Sequence, residues 1–225
     1  RIAFATPWTP QPSGVADFSA TIGRELADLC DLTVYTTSSA QAEEGITFRS
    51  IDEALADPRG VEAQHDAFIT VVGNSHFHTP FLQVMQHLDT IAVLHDTRMV
   101  EYYMALRGKG GVEQLMLRGT GRKALQPSLD EQIDDMRLLE NAGLWEIAQR
   151  AKAIVMHSPC AAPMVTEQTG VTPFLLPFAN QRVPDTDVIT DDQRADAKRR
   201  LGWDDGRIHL TSFGYVDIRT KMADL

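Results

Sequence analysis

Four short polar stretches, each directly behind an apolar run, hold most of the residues in this chain that could do chemistry. Ser13-Gly14 closes the proline-rich stretch Pro7-Trp8-Thr9-Pro10-Gln11-Pro12, which follows Ile2-Ala3-Phe4-Ala5. Gly73-Asn74-Ser75-His76-Phe77-His78 follows Phe68-Ile69-Thr70-Val71-Val72, and His95-Asp96-Thr97-Arg98 follows Ile91-Ala92-Val93-Leu94. His157-Ser158 follows Ala153-Ile154-Val155-Met156. Serine and glycine at a helix start offer free N–H groups and the positive end of the helix dipole, suited to a phosphate or a ligand hydroxyl. They suit a plain helix cap equally, with the glycine free to take a positive φ. Asn74 and Ser75 could bond a hydroxyl or serve only as turn residues. His95 is the sharpest candidate. A neutral imidazole there could hydrogen-bond a hydroxyl, or favour positive charge developing on a neighbouring carbon. His157 fits a structural role better.

Other chemistries find less support. His76, His78 and His95-Asp96 contain the ligand pattern His-x-His, but no HEXXH or HxHxDH arrangement completes it, so no metal site is expected. Gly119-Thr120-Gly121-Arg122-Lys123-Ala124 has the letters GxGxxA but follows a helical pattern, where a dinucleotide turn cannot work. Neither a GxxxxGK[ST] loop nor a GxSxG elbow occurs. Arg118, Arg122 and Lys123 read as solvated charges on a loop.

The elements that must position these residues alternate strand and helix. Strands are expected at 2–5, 32–35, 46–48, 68–72, 91–94, 153–156 and 174–176. The first helix is expected to bury the stripe Val15, Phe18, Ile22, Leu26 and Leu29. A short helix is expected over 51–56, and another from Thr79 as cap and Pro80 as first residue to about Leu88. Asp96 can cap a helix behind the fifth strand. The stretch 108–121 reads as loops around a short helix at 112–118. Ser128 and Glu131 open a long helix to about Arg150, with Ile133, Met136, Leu139, Ile147 and Ala151 inward. A helix over 159–169 ends at Gly170, and one over 194–201 precedes a strand at 208–213. Near-continuous apolar strands separated by helices imply α/β architecture, a doubly wound parallel sheet covered on both faces. Ligands of such sheets sit beyond the carboxyl ends of the strands, where the four polar stretches fall.

The 225 residues carry a formal charge of −10, with 21 Lys+Arg against 31 Asp+Glu. That balance argues against nucleic acid as a partner and against a broad basic membrane face. No apolar run approaches the ~20 residues of a membrane-spanning helix. Cys30 and Cys160 lack metal spacing and fit a reducing compartment. The chain opens on Arg1 in a strand pattern and stops at Leu225 inside an element, so it is expected to be a piece of a longer protein. Residues 1–180 read as one Rossmann-like domain, 181–206 as linker and helix, and 207–225 as the first strand of a truncated second domain.

Four segments in this order resemble the retaining glycosyltransferases of the GT-B fold, family 4. They are Pro12-Ser13-Gly14-Val15-Ala16-Asp17-Phe18-Ser19; Gly73-Asn74-Ser75-His76-Phe77-His78; Val93-Leu94-His95-Asp96; and Arg200-Leu201-Gly202 leading to Ser212-Phe213-Gly214-Tyr215-Val216 with Lys221. The resemblance implies two Rossmann-like domains facing across a cleft, the acceptor held mainly by the first and the nucleotide-sugar by the second. It makes His95 the catalytic residue that contacts the transferring sugar, Gly14 and Lys221 donor-binding residues, and Ser13, Asn74 and Ser75 acceptor-binding. It departs from the family pattern where Tyr215 stands in place of an arginine and Met222 in place of a glycine, which thins the diphosphate clamp. The family's Glu-x7-Glu stretch would lie beyond Leu225.

The implied reaction moves a hexose from a nucleotide-diphosphate sugar to an acceptor hydroxyl with retention, without metal or other cofactor. The acceptor would be a glycan, a lipid-linked or a small molecule. Residues 1–225 alone are expected to be inactive for want of the second domain. The implied location is cytoplasmic, with room for a peripheral one at the inner membrane face. Two other readings remain open: a non-catalytic domain that binds glycan or nucleotide, and a sugar-nucleotide epimerase of the same architecture.

Overall fold

The computed structural model describes residues 1–37, 39–120, 143–178 and 189–209. The chain divides into two compact units, Arg1–Gln181 and Arg182–Leu225. The first is built on seven strands: β1 (Ile2–Ala5), β2 (Leu32–Thr36), β3 (Ile46–Ser50), β4 (Ala67–Val72), β5 (Thr90–Leu94), β6 (Ala151–Met156) and β7 (Phe174–Leu175). They form one sheet in the order β3-β2-β1-β4-β5-β6-β7, and every neighbouring pair is parallel. This is a Rossmann-like α/β sheet. From β1 the chain moves outward to β2 and β3, then returns to β4 on the other side of β1. The strand order therefore reverses between β1 and β4, which opens a crevice at their carboxyl ends.

Burial on both faces explains why the strands read as continuous apolar runs. Ala3, Ala5, Tyr35 and Phe68 pack under α2 (Ile51–Ala56), α3 (Pro58–Gln64) and α4 (Thr79–Val84) through Ile51, Ala54, Val61, Phe81 and Val84. Phe4, Leu32, Val34 and Val71 turn to the opposite face, where α1 (Gly14–Ala27) lies with Ala20 and the loop residue Trp8. On β5 and β6, Ala92, Leu94, Ile154 and Met156 meet Tyr102 and Tyr103 of α5 (Val100–Thr120), Ile147 of α6 (Trp145–Ala148) and Val165 of α7 (Ala162–Thr169).

Several helical expectations need correction. In α1 the buried residues are Ala16, Phe18, Ser19, Ala20 and Gly23, while Val15, Ile22 and Leu26 are half-buried and Leu29 is 81% exposed beyond the helix end. The helix meets the sheet through small residues because the fully buried Trp8 fills the space beneath it. A Cβ at Gly23 would collide with the Trp8 ring. Thr79 is the first residue of α4 and His78 holds the cap position, without a side-chain cap bond. The glycine-rich stretch from Gly108 is helical, broken at Gly108 itself (φ 65°, ψ −178°). The expected long helix cannot run to Arg150, because Gly143 is left-handed (φ 75°) and only Trp145–Ala148 is helical after it. Ala151 belongs to β6. Ser128, Glu131, Ile133, Met136 and Leu139 lie outside the described residues.

In the second unit, α8 (Asp191–Leu201) opens on a capping box between Thr190 and Gln193 and ends at left-handed Gly202 (φ 69°). Its acidic first turn and basic last turn match the helix dipole. Of the strand expected at 208–213, Ile208 and His209 are described and lie in no strand, and Ile208 is 91% exposed. The remainder of that strand, with Gly214, Tyr215, Lys221 and Met222, lies outside the described residues.

Candidate functional site

The loop behind β1 is fastened from below. Trp8 Nε1 donates to Glu43 at 3.1 Å, and Glu43 also takes two hydrogen bonds from Arg24 on α1, at 2.6 and 3.1 Å. That guanidinium holds the Glu43 carboxyl below its ordinary pKa. The fastened loop delivers Ser13 to the start of α1, where its extended backbone (φ −146°, ψ 134°) lets Oγ accept the Val15 N–H at 3.3 Å. Gly14 is the exposed first residue of the helix, with open space where a Cβ would stand. It does not take the positive φ that sequence reading allowed it. What glycine supplies here is clearance over the helix N-terminus.

Behind β4, the chain turns sharply at Gly73, where a Cβ would strike the His78 ring. His78 is buried and its Nδ1 donates to the Val71 carbonyl at 3.2 Å; burial lowers its pKa. His76 is exposed and packs on Phe77, so the His-x-His pair is split between core and surface. Among the described residues no group of three or more His, Cys, Asp or Glu could hold a metal. Asn74 is heavily engaged. Its backbone N–H donates to Asp96 at 2.7 Å, its Oδ1 accepts the Tyr102 N–H at 3.0 Å, and its Nδ2 donates to Glu101. It thereby caps α5 from another loop, the task sequence reading gave to Asp96; Asp96 sits too far ahead of Val100 and binds Asn74 instead. Ser75 accepts the His78 N–H through its carbonyl and makes no side-chain cap bond.

His95 directly follows β5 and extends its pairing, its N–H donating to the Val72 carbonyl at 2.9 Å. The ring falls on the α1 side of the sheet, because Leu94 faces the other way. It meets Phe18 edge-on, with centroids 4.3 Å apart and planes at 82°. His157, in the equivalent place behind β6, lies 5.3 Å from His95 and 5.2 Å from Phe18. Phe178 stacks on Phe18 at 5.1 Å and lies 5.0 Å from His157 and 6.0 Å from His95. Burial drives the His95 pKa down to about 4, and the neighbouring His157 and His78 add to the effect. The ring is therefore neutral at physiological pH.

The fold thus brings His95, the start of α1 and the Gly73–Ser75 turn to one edge of the sheet. Asn74 and His95 are tied through Asp96, and Ser13 caps the helix that carries Phe18. Lys221 lies outside the described residues. Sequence reading passed over Phe18 as part of an apolar stripe, assigned His157 a structural role and did not single out Phe178. The position of His157 behind a central strand was the one signal available for it. The chain matches no protein-family model, and no curated protein matches it significantly.

Proposed function

We propose that this chain is the acceptor-side Rossmann-like domain, with the opening of the donor-side domain, of a retaining GT-B glycosyltransferase. The observation that carries this reading is the neutral imidazole of His95, held among aromatic rings at the carboxyl end of β5, beside the α1 start. A neutral ring can hydrogen-bond a sugar hydroxyl without repelling positive charge that grows at the anomeric carbon. The positive dipole end of α1 suits the opposite charge, developing on a departing diphosphate. Preorganised dipoles of this kind contribute most where charge appears only in the transition state.

In this reading the donor is a nucleotide-diphosphate sugar, met on the first unit by the Gly14 backbone. The acceptor hydroxyl arrives over Ser13 and Ser75, with Asn74 holding the loop in place. Attack on the face the leaving group departs from retains configuration: the acceptor oxygen bonds the anomeric carbon as its bond to the nucleoside diphosphate breaks, and the hydroxyl proton passes to the departing phosphate oxygen. Fixed positive groups serve in place of a metal.

The test is transfer of labelled sugar from a panel of nucleotide-diphosphate sugars by the protein carrying both halves. His95→Ala is expected to lower the rate about a hundredfold, the scale of losing one preorganised polar group, with circular dichroism unchanged. A folded variant of undiminished rate, or no transfer from any donor, contradicts the reading.

A further inference from the structure

His157 raises a question that a structural role does not answer. Its Nδ1 lies 2.9 Å from the Leu176 carbonyl. A carbonyl can only accept, so Nδ1 carries the proton, and in the neutral ring Nε2 is left with its lone pair. That Nε2 is buried and, among the described residues, has no hydrogen-bond partner. The Nε2 of His95 is in the same condition. Buried polar atoms without partners are uncommon and destabilise the folded chain. Two on adjacent rings 5.3 Å apart, at the strand ends where ligands of such sheets bind, call for a common explanation.

Access supplies the second observation. Of the four rings in this cluster, Phe18 is 5% exposed and Phe178 is 56% exposed, yet Phe178 touches the other three. It follows β7 on the sheet's outer edge. A ligand group can reach the two imidazoles most cheaply by moving this ring.

We infer that His95 and His157 form a paired hydrogen-bonding site for two neighbouring hydroxyls of a pyranose, and that Phe178 covers the pair until the sugar displaces it. The inference rests on the sugar-transfer reading for the ligand class and goes beyond it in giving His157 direct contact. The Leu176 carbonyl fixes the tautomer of the neutral ring, in which the His157 Nε2 accepts from a hydroxyl. Phe18 forms the apolar floor, suited to the C–H face of the ring.

The test uses long-range 1H–15N spectra of the imidazoles in the whole chain. The probes are methyl α-D-glucopyranoside, methyl α-D-mannopyranoside, UDP-glucose and GDP-mannose. At least one probe is expected to move the Nε2 signals of both His95 and His157, saturating with a single Kd. His157→Phe keeps a ring and removes the acceptor, and should weaken that Kd by about three- to tenfold, the worth of one hydrogen bond. Phe178→Ala removes the cover and should tighten it by a similar factor. If a probe binds and moves His95 while the His157 signal stays fixed, the pair is overturned and the sugar-transfer reading stands. Weaker binding in Phe178→Ala overturns the cover. If no probe binds at all, the pair falls, and the sugar-transfer reading is decided separately by the transfer assay on the protein carrying both halves.

Discussion

Trp8 and Gly23 show how one contact can reverse an intrinsic preference. In an exposed helix, alanine for glycine gains about 1 kcal/mol. At Gly23 the added methyl would meet the buried Trp8 ring, and overpacking costs about 1–3 kcal/mol. Gly23→Ala should therefore lower the urea midpoint of unfolding, whereas a raised midpoint would show that Trp8 can move aside. The second residue-scale prediction concerns His95. Its folded pKa, about 4, lies below the ordinary 6.5, so between these values the unfolded chain binds the extra proton. Stability from this group is whole above pH 6.5 and is lost as pH falls through 4, by up to ~3 kcal/mol. Urea titrations of wild type and His95→Phe across that window should diverge; parallel curves would contradict the low pKa. His95 could be singled out in the sequence because it follows a strand. Its neutrality could not, since that depends on Phe18 and His157, which lie far from it in the chain.

At the scale of elements, the strands were readable and the helix boundaries less so. Seven apolar or β-branched runs, from Ile2-Ala3-Phe4-Ala5 to Phe174-Leu175-Leu176, matched the seven strands among the described residues; burial on both faces explains the central ones, while the edge strands β3 and β7 are largely exposed. Helix ends depended on partners distant in sequence. The start of α5 is the clearest case: its cap is Asn74, on the loop behind β4, and no local pattern around Val100 announces it. Replacing Asn74 by alanine should cost about 1 kcal/mol, the usual worth of a cap, seen as a lower thermal midpoint. Ser75→Ala removes no cap bond and should leave the midpoint unchanged. Equal losses at both positions would show that the loop, and not the cap, is what matters. The break at Gly108 was hidden for the opposite reason: three glycines among Gly108-Lys109-Gly110-Gly111 suggested loop, while Val112 buries firmly enough to keep the segment helical.

For the whole molecule, the charge of −10 and the parallel sheet set different kinds of limit. An excess of carboxylates repels a polyphosphate at long range, and low salt strengthens the repulsion. Duplex DNA should show no gel retardation even at low ionic strength, and a shift would reveal a basic patch stronger than the overall charge. The sheet ends at β7, an edge strand of two residues whose side chains, like Leu176 after it, face solvent. A border this brief gives an intruding chain almost no backbone rungs to climb, so its greasy fringe does not seed runaway stacking. Splicing a few β-branched residues onto that margin would turn a tolerated stickiness into a nucleus for fibres.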